Sequence, residues 1–156
     1  VVGQTDRTGT DYGYVGDIVD VTPAPVIDVL EQGYIPVVST VAQGIDDETN
    51  YNINADTAAC KLAVALGAKK LILLTDVRGL MLDPDDESTL LTNLKVSEVP
   101  RLMRDGVIKG GMIPKVDSCV EAVRKGVDQA NIQDGRVKHS ILIELLSKVG
   151  VGTMFQ

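Results

Sequence analysis

The chain reads as an α/β fold, a three-layer αβα sandwich around a mainly parallel sheet, on three observations. Apolar runs of strand length alternate with stretches of helical period over most of its 156 residues. Leu71-Ile72-Leu73-Leu74 is an unbroken apolar run, the mark of a strand buried on both faces. Caps and stops bracket the helical stretches, as Asn54 and Gly67 bracket one of them. At 24% charged and 44% hydrophobic residues, the composition fits a chain that buries a core.

Residues 3–13 are polar and turn-rich, and predict a loop or the tip of a hairpin. Tyr14 to Val21 alternates in the manner of a strand. Thr22 caps a short helix with Pro23 in its first position, Val26, Ile27 and Leu30 inside, and Gly33 as its stop. Tyr34 to Val41 is a β-branched strand in which Pro36 requires an edge or a strand start. Residues 42–50 form an acidic loop. A helix from Asn54 to Gly67 carries Leu62, Ala63 and Leu66 on one face. The strand at 71–74 ends in the polar turn Thr75-Asp76-Val77-Arg78-Gly79, and residues 83–87 are an acidic, solvated loop. Ser97 caps a helix through Arg104, closed by Asp105-Gly106. Another helix runs from about Pro114 to Lys125 with Val116, Val120 and Val123 inward. Gln129 to Asp134 is a weaker strand, Ser140 to Lys148 a final helix, and Val149 to Phe155 a closing strand.

A formal net charge of −7 argues against non-specific nucleic-acid binding and against an anionic membrane surface. A locally positive site could still hold nucleotide phosphates. Cys60 and Cys119 lie in helical apolar stretches, as buried thiols of a reducing compartment do. One histidine and no Cys-x-x-Cys spacing argue against structural zinc. No run approaches the length of a membrane span. The opening Val1-Val2-Gly3 lacks a methionine and a signal-peptide pattern, as expected of a processed or cut piece of a longer chain.

Asn52, Asn54 and Asp56 set two amides and a carboxylate, one residue apart, where a strand gives way to a helix. Such strand-to-helix turns hold small anions in α/β sheets. The plainer reading stays open: Asn54 as an N-cap and Asp56 as a complement to the helix dipole. Gly110-Gly111-Met112-Ile113-Pro114-Lys115 brings a lysine to a helix start, against the macrodipole, at ~0.3–1 kcal/mol if exposed. A bound phosphoryl group would offset that cost; an ordinary solvated lysine is the alternative. Asp76 suits a ribose or a lysine counter-charge, or is a simple turn carboxylate. Arg78 and Lys109 are candidates for phosphate contact, with surface charge as the default. His139 has no paired Ser or Cys motif, so a hydrolase triad has little support. Neither a P-loop nor a Gly-x-Gly-x-x-Gly turn occurs.

Several segments gain meaning together: Tyr14-Val15-Gly16, Gly33 to Val37, Asn52-Ile53-Asn54-Ala55-Asp56, Leu71 to Val77, Gly110 to Val116, Asp134-Gly135-Arg136, and His139 through Met154. In these runs, which span nearly its whole length, the chain resembles the C-terminal part of the acetylglutamate kinases, amino-acid-kinase-family enzymes of arginine biosynthesis. The resemblance implies transfer of the γ-phosphoryl of MgATP to the side-chain carboxylate of N-acetyl-L-glutamate. Mg2+ would be held mainly through the phosphates, with no metal ligand on the protein. Asn52 would hold the substrate, Asp56 would order the catalytic lysines, and Lys115 would stabilise charge on the transferring group. Asp76, Val77, Arg78, Gly79, Leu80, Met81, Val107, Ile108 and Lys109 would line the nucleotide site.

By the same resemblance residues 1–68 are the remaining part of the amino-acid-substrate lobe and 69–156 the nucleotide-binding lobe. The fold is truncated at its N-terminus, without the family's opening lysine and glycine-rich loops, so this stretch alone is expected to be inactive. The tail resembles the arginine-inhibited subgroup, with His139 as an effector contact. Relatives in photosynthetic organisms bind the PII signalling protein. A homo-oligomer in the cytoplasm, or the plastid stroma, is implied for the full-length form. Asn131 and Gln133 stand where the family strand is more apolar, and Ser147-Lys148-Val149 where an acidic turn is usual. The rival readings are a non-catalytic nucleotide-binding or regulatory module derived from the same lobe, and another carboxylate or carbamate kinase.

Overall fold

Antiparallel pairing of β1 (Val2–Thr5) with β2 (Asp11–Asp17) opens the chain, so the turn-rich start is a hairpin with longer arms than its composition suggests. Within the predicted loop or tip at 3–13, residues 6–8 lie outside the described residues, which in this computed structural model are 1–5, 9–46, 48–147 and 150–156. The chain divides into two units, Val1–Leu66 and Gly67–Gln156.

The first unit carries a sheet in the order β1-β2-β4-β3, completed by β3 (Val41–Gln43) and β4 (Asn50–Asn52). Helix α1 (Ala24–Glu31) starts on Pro23 rather than Thr22, because the fixed φ of proline suits a helix entry. Ile27 and Leu30, expected inside, are exposed. Gly33 ends α1 as predicted: at φ +82° it lets its own N–H and that of Tyr34 reach the carbonyls of Leu30 and Val29. The expected strand at 34–41 does not form before Val41. Pro36 has no N–H to donate and no described strand pairs with residues 34–40, leaving Ile35 90% and Val37 95% exposed. A cavity of about 560 Å³ in this unit is lined by Ile18, Val21, Pro36, Val38, Ile53 and Leu62 among others. Helix α2 (Ala55–Ala65) is capped by Asn54, whose Oδ1 accepts the Thr57 N–H at 3.1 Å.

The second unit carries a sheet in the order β5-β7-β8-β6, from β5 (Lys70–Thr75), β6 (Asn93–Leu94), β7 (Gln129–Asp134) and β8 (Gly152–Phe155). Helices α3 (Val99–Arg104), α4 (Met112–Arg124) and α5 (Ser140–Leu146) complete it. Glu98, not Ser97, precedes α3, and α4 starts two residues before Pro114. The predicted ends of α5 and the closing strand at residues 148–149 lie outside the described residues.

The α/β class holds, but both sheets are mixed: β2–β4, β5–β7 and β6–β8 are parallel, β1–β2, β3–β4 and β7–β8 antiparallel. Hairpin-like returns supply the β1–β2 and β3–β4 pairs and β8 comes back beside β7 only after α5, none of which strand-and-helix alternation reveals. The strand that looks weakest, β7, runs between β5 and β8 and is buried from Ala130 to Asp134. In β5, Leu71 and Leu73 are buried while Leu74 is 47% exposed, so the apolar run is covered on one face more than the other. Helix α4 packs on β7 through the i, i+3 ridge Val116, Cys119 and Ala122; Val120 and Val123 are half-buried beside it.

Among the described residues, the buried apolar side chains of the first unit are Ile53, Cys60 and Ala63. The second unit buries a contiguous set that includes Leu80, Val116, Ile132 and Phe155. Both cysteines are buried and outside any disulfide among the described residues, and no described helix is long and apolar enough to cross a membrane.

Candidate functional site

Parallel β5 and β7 end side by side, Thr75 opposite Asp134, and the chain leaving each end builds the site. Open α/β sheets take ligands at such carboxyl edges. After Thr75 the loop 76–81 turns back onto β8. Gly79 sits at φ +154°, and a Cβ there would meet Thr153 Oγ1 at 2.6 Å and Thr153 N at 2.9 Å. That approach lets the buried Leu80 N–H donate to Thr153 Oγ1 at 2.8 Å.

Val77, Gly79, Leu80 and Met81 of this loop line a cavity of about 180 Å³ together with Pro84, Val107, Lys109 and Met112. Six of the nine predicted nucleotide-site residues therefore meet around one apolar cleft with a cation in its lining. Ile108 is buried in the core, and Asp76 and Arg78 are exposed and outside the lining. Thr75 Oγ1 donates to Asp76 at 3.1 Å, and Arg78 pairs with Glu87 on the surface. Pro84 and Met112 carry no sequence signal of their own, although Met112 sits inside the Gly-Gly-Met run.

Lys115 stands in the first turns of α4, half-buried. The carbonyls of Lys109 and Gly110 accept the N–H groups of Met112 and Ile113, so the Gly-Gly segment is the entry turn of that helix.

A second set of charges stands at the end of β7. Arg136 grips Asp134 with two parallel bonds, Nε to Oδ1 and Nη2 to Oδ2, each 2.9 Å, and its backbone N–H donates to Oδ1 as well. These bonds hold the Asp134 carboxyl down at about 2, with the Arg78 charge adding to the effect. Arg136 is shifted upward by Asp134 first and by Asp76 in addition. The Gly135 N–H donates to the Thr75 carbonyl at 2.8 Å, tying the two strand ends together.

In the first unit, Asn52 is the last residue of β4, exposed, and paired in register with Val15 and Val41. Asn54 is occupied as the cap of α2, so the plainer reading holds for it. Asp56 lies half-buried in the first turn of α2.

Another cavity, of about 290 Å³, is lined by Lys70, Thr92, Asn131, Glu144, Gly152 and Met154 among others. Glu144 Oε1 takes Lys70 Nζ at 3.1 Å and Asn131 Nδ2 at 2.8 Å, while the buried Asn131 Oδ1 has no partner among the described residues. His139 is exposed at φ +60°, ahead of α5, and is not among the residues lining this cavity.

The acetylglutamate kinase of Clostridium beijerinckii is 58% identical over 148 residues, 95% of this chain and 52% of its own length. The chain spans about half the length of such relatives. The crystal structure of N-acetylglutamate synthase from Neisseria gonorrhoeae complexed with coenzyme A and L-arginine superposes with a TM-score of 0.86 at 29% identity. It covers 99% of this chain and 34% of the synthase. The structure of smu.665 from Streptococcus mutans gives 0.74 at 33% identity, over 93% of this chain and 52% of that one. The model of the amino acid kinase family matches residues 2–134, and the chain belongs to that family.

Proposed function

We propose that this chain is the C-terminal portion of an acetylglutamate kinase, which moves the γ-phosphoryl group of MgATP to the side-chain carboxylate of N-acetyl-L-glutamate in arginine biosynthesis. The observation that carries the reading is the cleft at the end of β5. Apolar Val77, Leu80, Met81, Val107 and Met112 offer a slot for a flat base, and Lys109 supplies a cation in the same lining. The 58% identity to the Clostridium beijerinckii enzyme supports the choice of acceptor.

In this reading residues 69–156 form the nucleotide lobe and residues 1–68 part of the amino-acid lobe. Lys115 stabilises charge on the transferring group, Asp56 orders the lysines and Asn52 holds the acceptor. Phosphoryl transfer needs positioning and charge relief more than covalent chemistry, and these residue types supply both. Magnesium enters with the ATP phosphates and neutralises their charge. The test is acetylglutamate-dependent ADP release by the full-length protein that contains this chain. Release no faster than without acetylglutamate would overturn the assignment.

A second reading concerns the Glu144 cavity. A carboxylate and a buried, unpartnered amide oxygen call for a ligand rich in N–H donors. We propose L-arginine as its occupant, a shift of the effector site from His139 to this cavity. L-arginine should raise the melting temperature of the chain, and Glu144→Gln should abolish the rise; an equal rise in both would reject the site.

A further inference from the structure

We propose that Arg136 is a ligand for the phosphates of the bound nucleotide and that Asp134 aims it. The inference rests on the nucleotide reading of the β5 cleft and adds to it a residue that none of the motifs assigned. Arg136 uses one edge of its guanidinium, Nε and Nη2, on Asp134. The opposite edge, Nη1 with the second Nη2 hydrogen, makes no hydrogen bond to a described residue, and the side chain is 70% exposed. Two parallel donors on a fixed planar group are the geometry that matches a phosphate.

The placement supports the same assignment. Asp134 is buried at the end of β7, so the pair is anchored in the sheet and not on a mobile side chain alone. Gly135 bonds the Thr75 carbonyl, one residue before the loop whose residues 77 and 79–81 line the cleft. Asp76 is near enough to raise the Arg136 guanidinium, which puts the charge beside that loop. Arg78, the more obvious phosphate candidate, is engaged with Glu87 on the surface. The buried Asp134 carboxylate holds the exposed Arg136 guanidinium in one orientation through its two parallel bonds. It has a clear use in presenting the free edge.

The experiment is calorimetric titration of the chain with ADP and, separately, with adenosine. Wild type, Arg136→Gln and Arg136→Lys are compared, each first shown to melt like wild type. Arg136→Gln should weaken ADP about tenfold and leave adenosine unchanged, since only ADP carries the phosphates. Arg136→Lys should recover part of the loss, because charge returns without the fork. ADP affinity within twofold of wild type in Arg136→Gln would overturn the proposal and leave the pair as a staple between strand ends. Equal losses for ADP and adenosine would overturn it in the same way. If wild type binds neither ligand, the nucleotide reading of the cleft falls first and this inference with it.

Discussion

Leu80 and Thr153 join the cleft loop to the last strand through one buried hydrogen bond, 2.8 Å from the Leu80 N–H to Thr153 Oγ1. The bond exists because Gly79 leaves room: a Cβ there would overlap the same hydroxyl. Gly79→Ala should cost about 1–3 kcal/mol through overpacking at an unfavourable φ. Thr153→Val, which removes the acceptor and keeps the shape, should cost about 1–3 kcal/mol for the stranded N–H. Urea midpoints with unchanged slope check both, and Thr153→Ser should stay close to wild type.

Acid sensitivity should trace to Asp134. Its carboxyl lies at about 2 in the folded chain against an ordinary 3.8, a depressed value. A depressed carboxylate contributes stability that is fully present above 3.8 and lost as pH falls through 2. The stability gap between wild type and Asp134→Asn should therefore narrow between pH 4 and pH 2, when followed by circular dichroism in urea. A gap that is constant across that range would mean the pair does not titrate with folding.

Position decides the worth of the ion pairs. Glu144, 7% exposed, accepts from both Lys70 and Asn131, and Glu144→Ala leaves those donors without their acceptor. The expected loss is about 1–3 kcal/mol. The Glu121–Lys125 pair lies on the more exposed face of α4 at i, i+4, where a helix pair contributes only about 0.3–0.5 kcal/mol. Lys125→Ala should therefore shift the urea midpoint far less than Glu144→Ala, and equal shifts would contradict this ranking.

Lys115 is the residue on which the catalytic reading turns. In the full-length enzyme, Lys115→Ala should lower kcat by about 10²–10³, as loss of a charge-stabilising group does, with a smaller change in KM for ATP. A kcat within a few-fold of wild type would remove Lys115 from the transition state.

Element types were legible wherever a local rule set them. Asn54 and Gly67 bracket α2, and Gly33 ends α1, because caps and positive-φ stops depend on neighbours a few residues away. The residues predicted for the nucleotide site at 77, 79–81, 107 and 109 converge on one cavity because they follow a strand end and precede a helix start. What failed depends on partners distant in sequence. Residues 34–40 have the composition of a strand but no strand beside them to bond. Asn131 and Gln133 made β7 look weak, yet its pairing with β5 on one side and β8 on the other accompanies burial of both, Asn131 against Glu144. Asp134-Gly135-Arg136 was visible as a motif, but its ion pair depends on backbone curvature that no spacing encodes.

The uncovered Ile35 and Val37 set the behaviour of the chain in bulk solution. A β-branched stretch that pairs with no strand among the described residues is adhesive toward other polypeptide strands. With so few buried apolar groups behind it, the first unit is held together weakly, while the second has its own dense interior. Expressed as a separate polypeptide, this chain should therefore self-associate through residues 34–41 as its concentration rises, which light scattering over a dilution series would read.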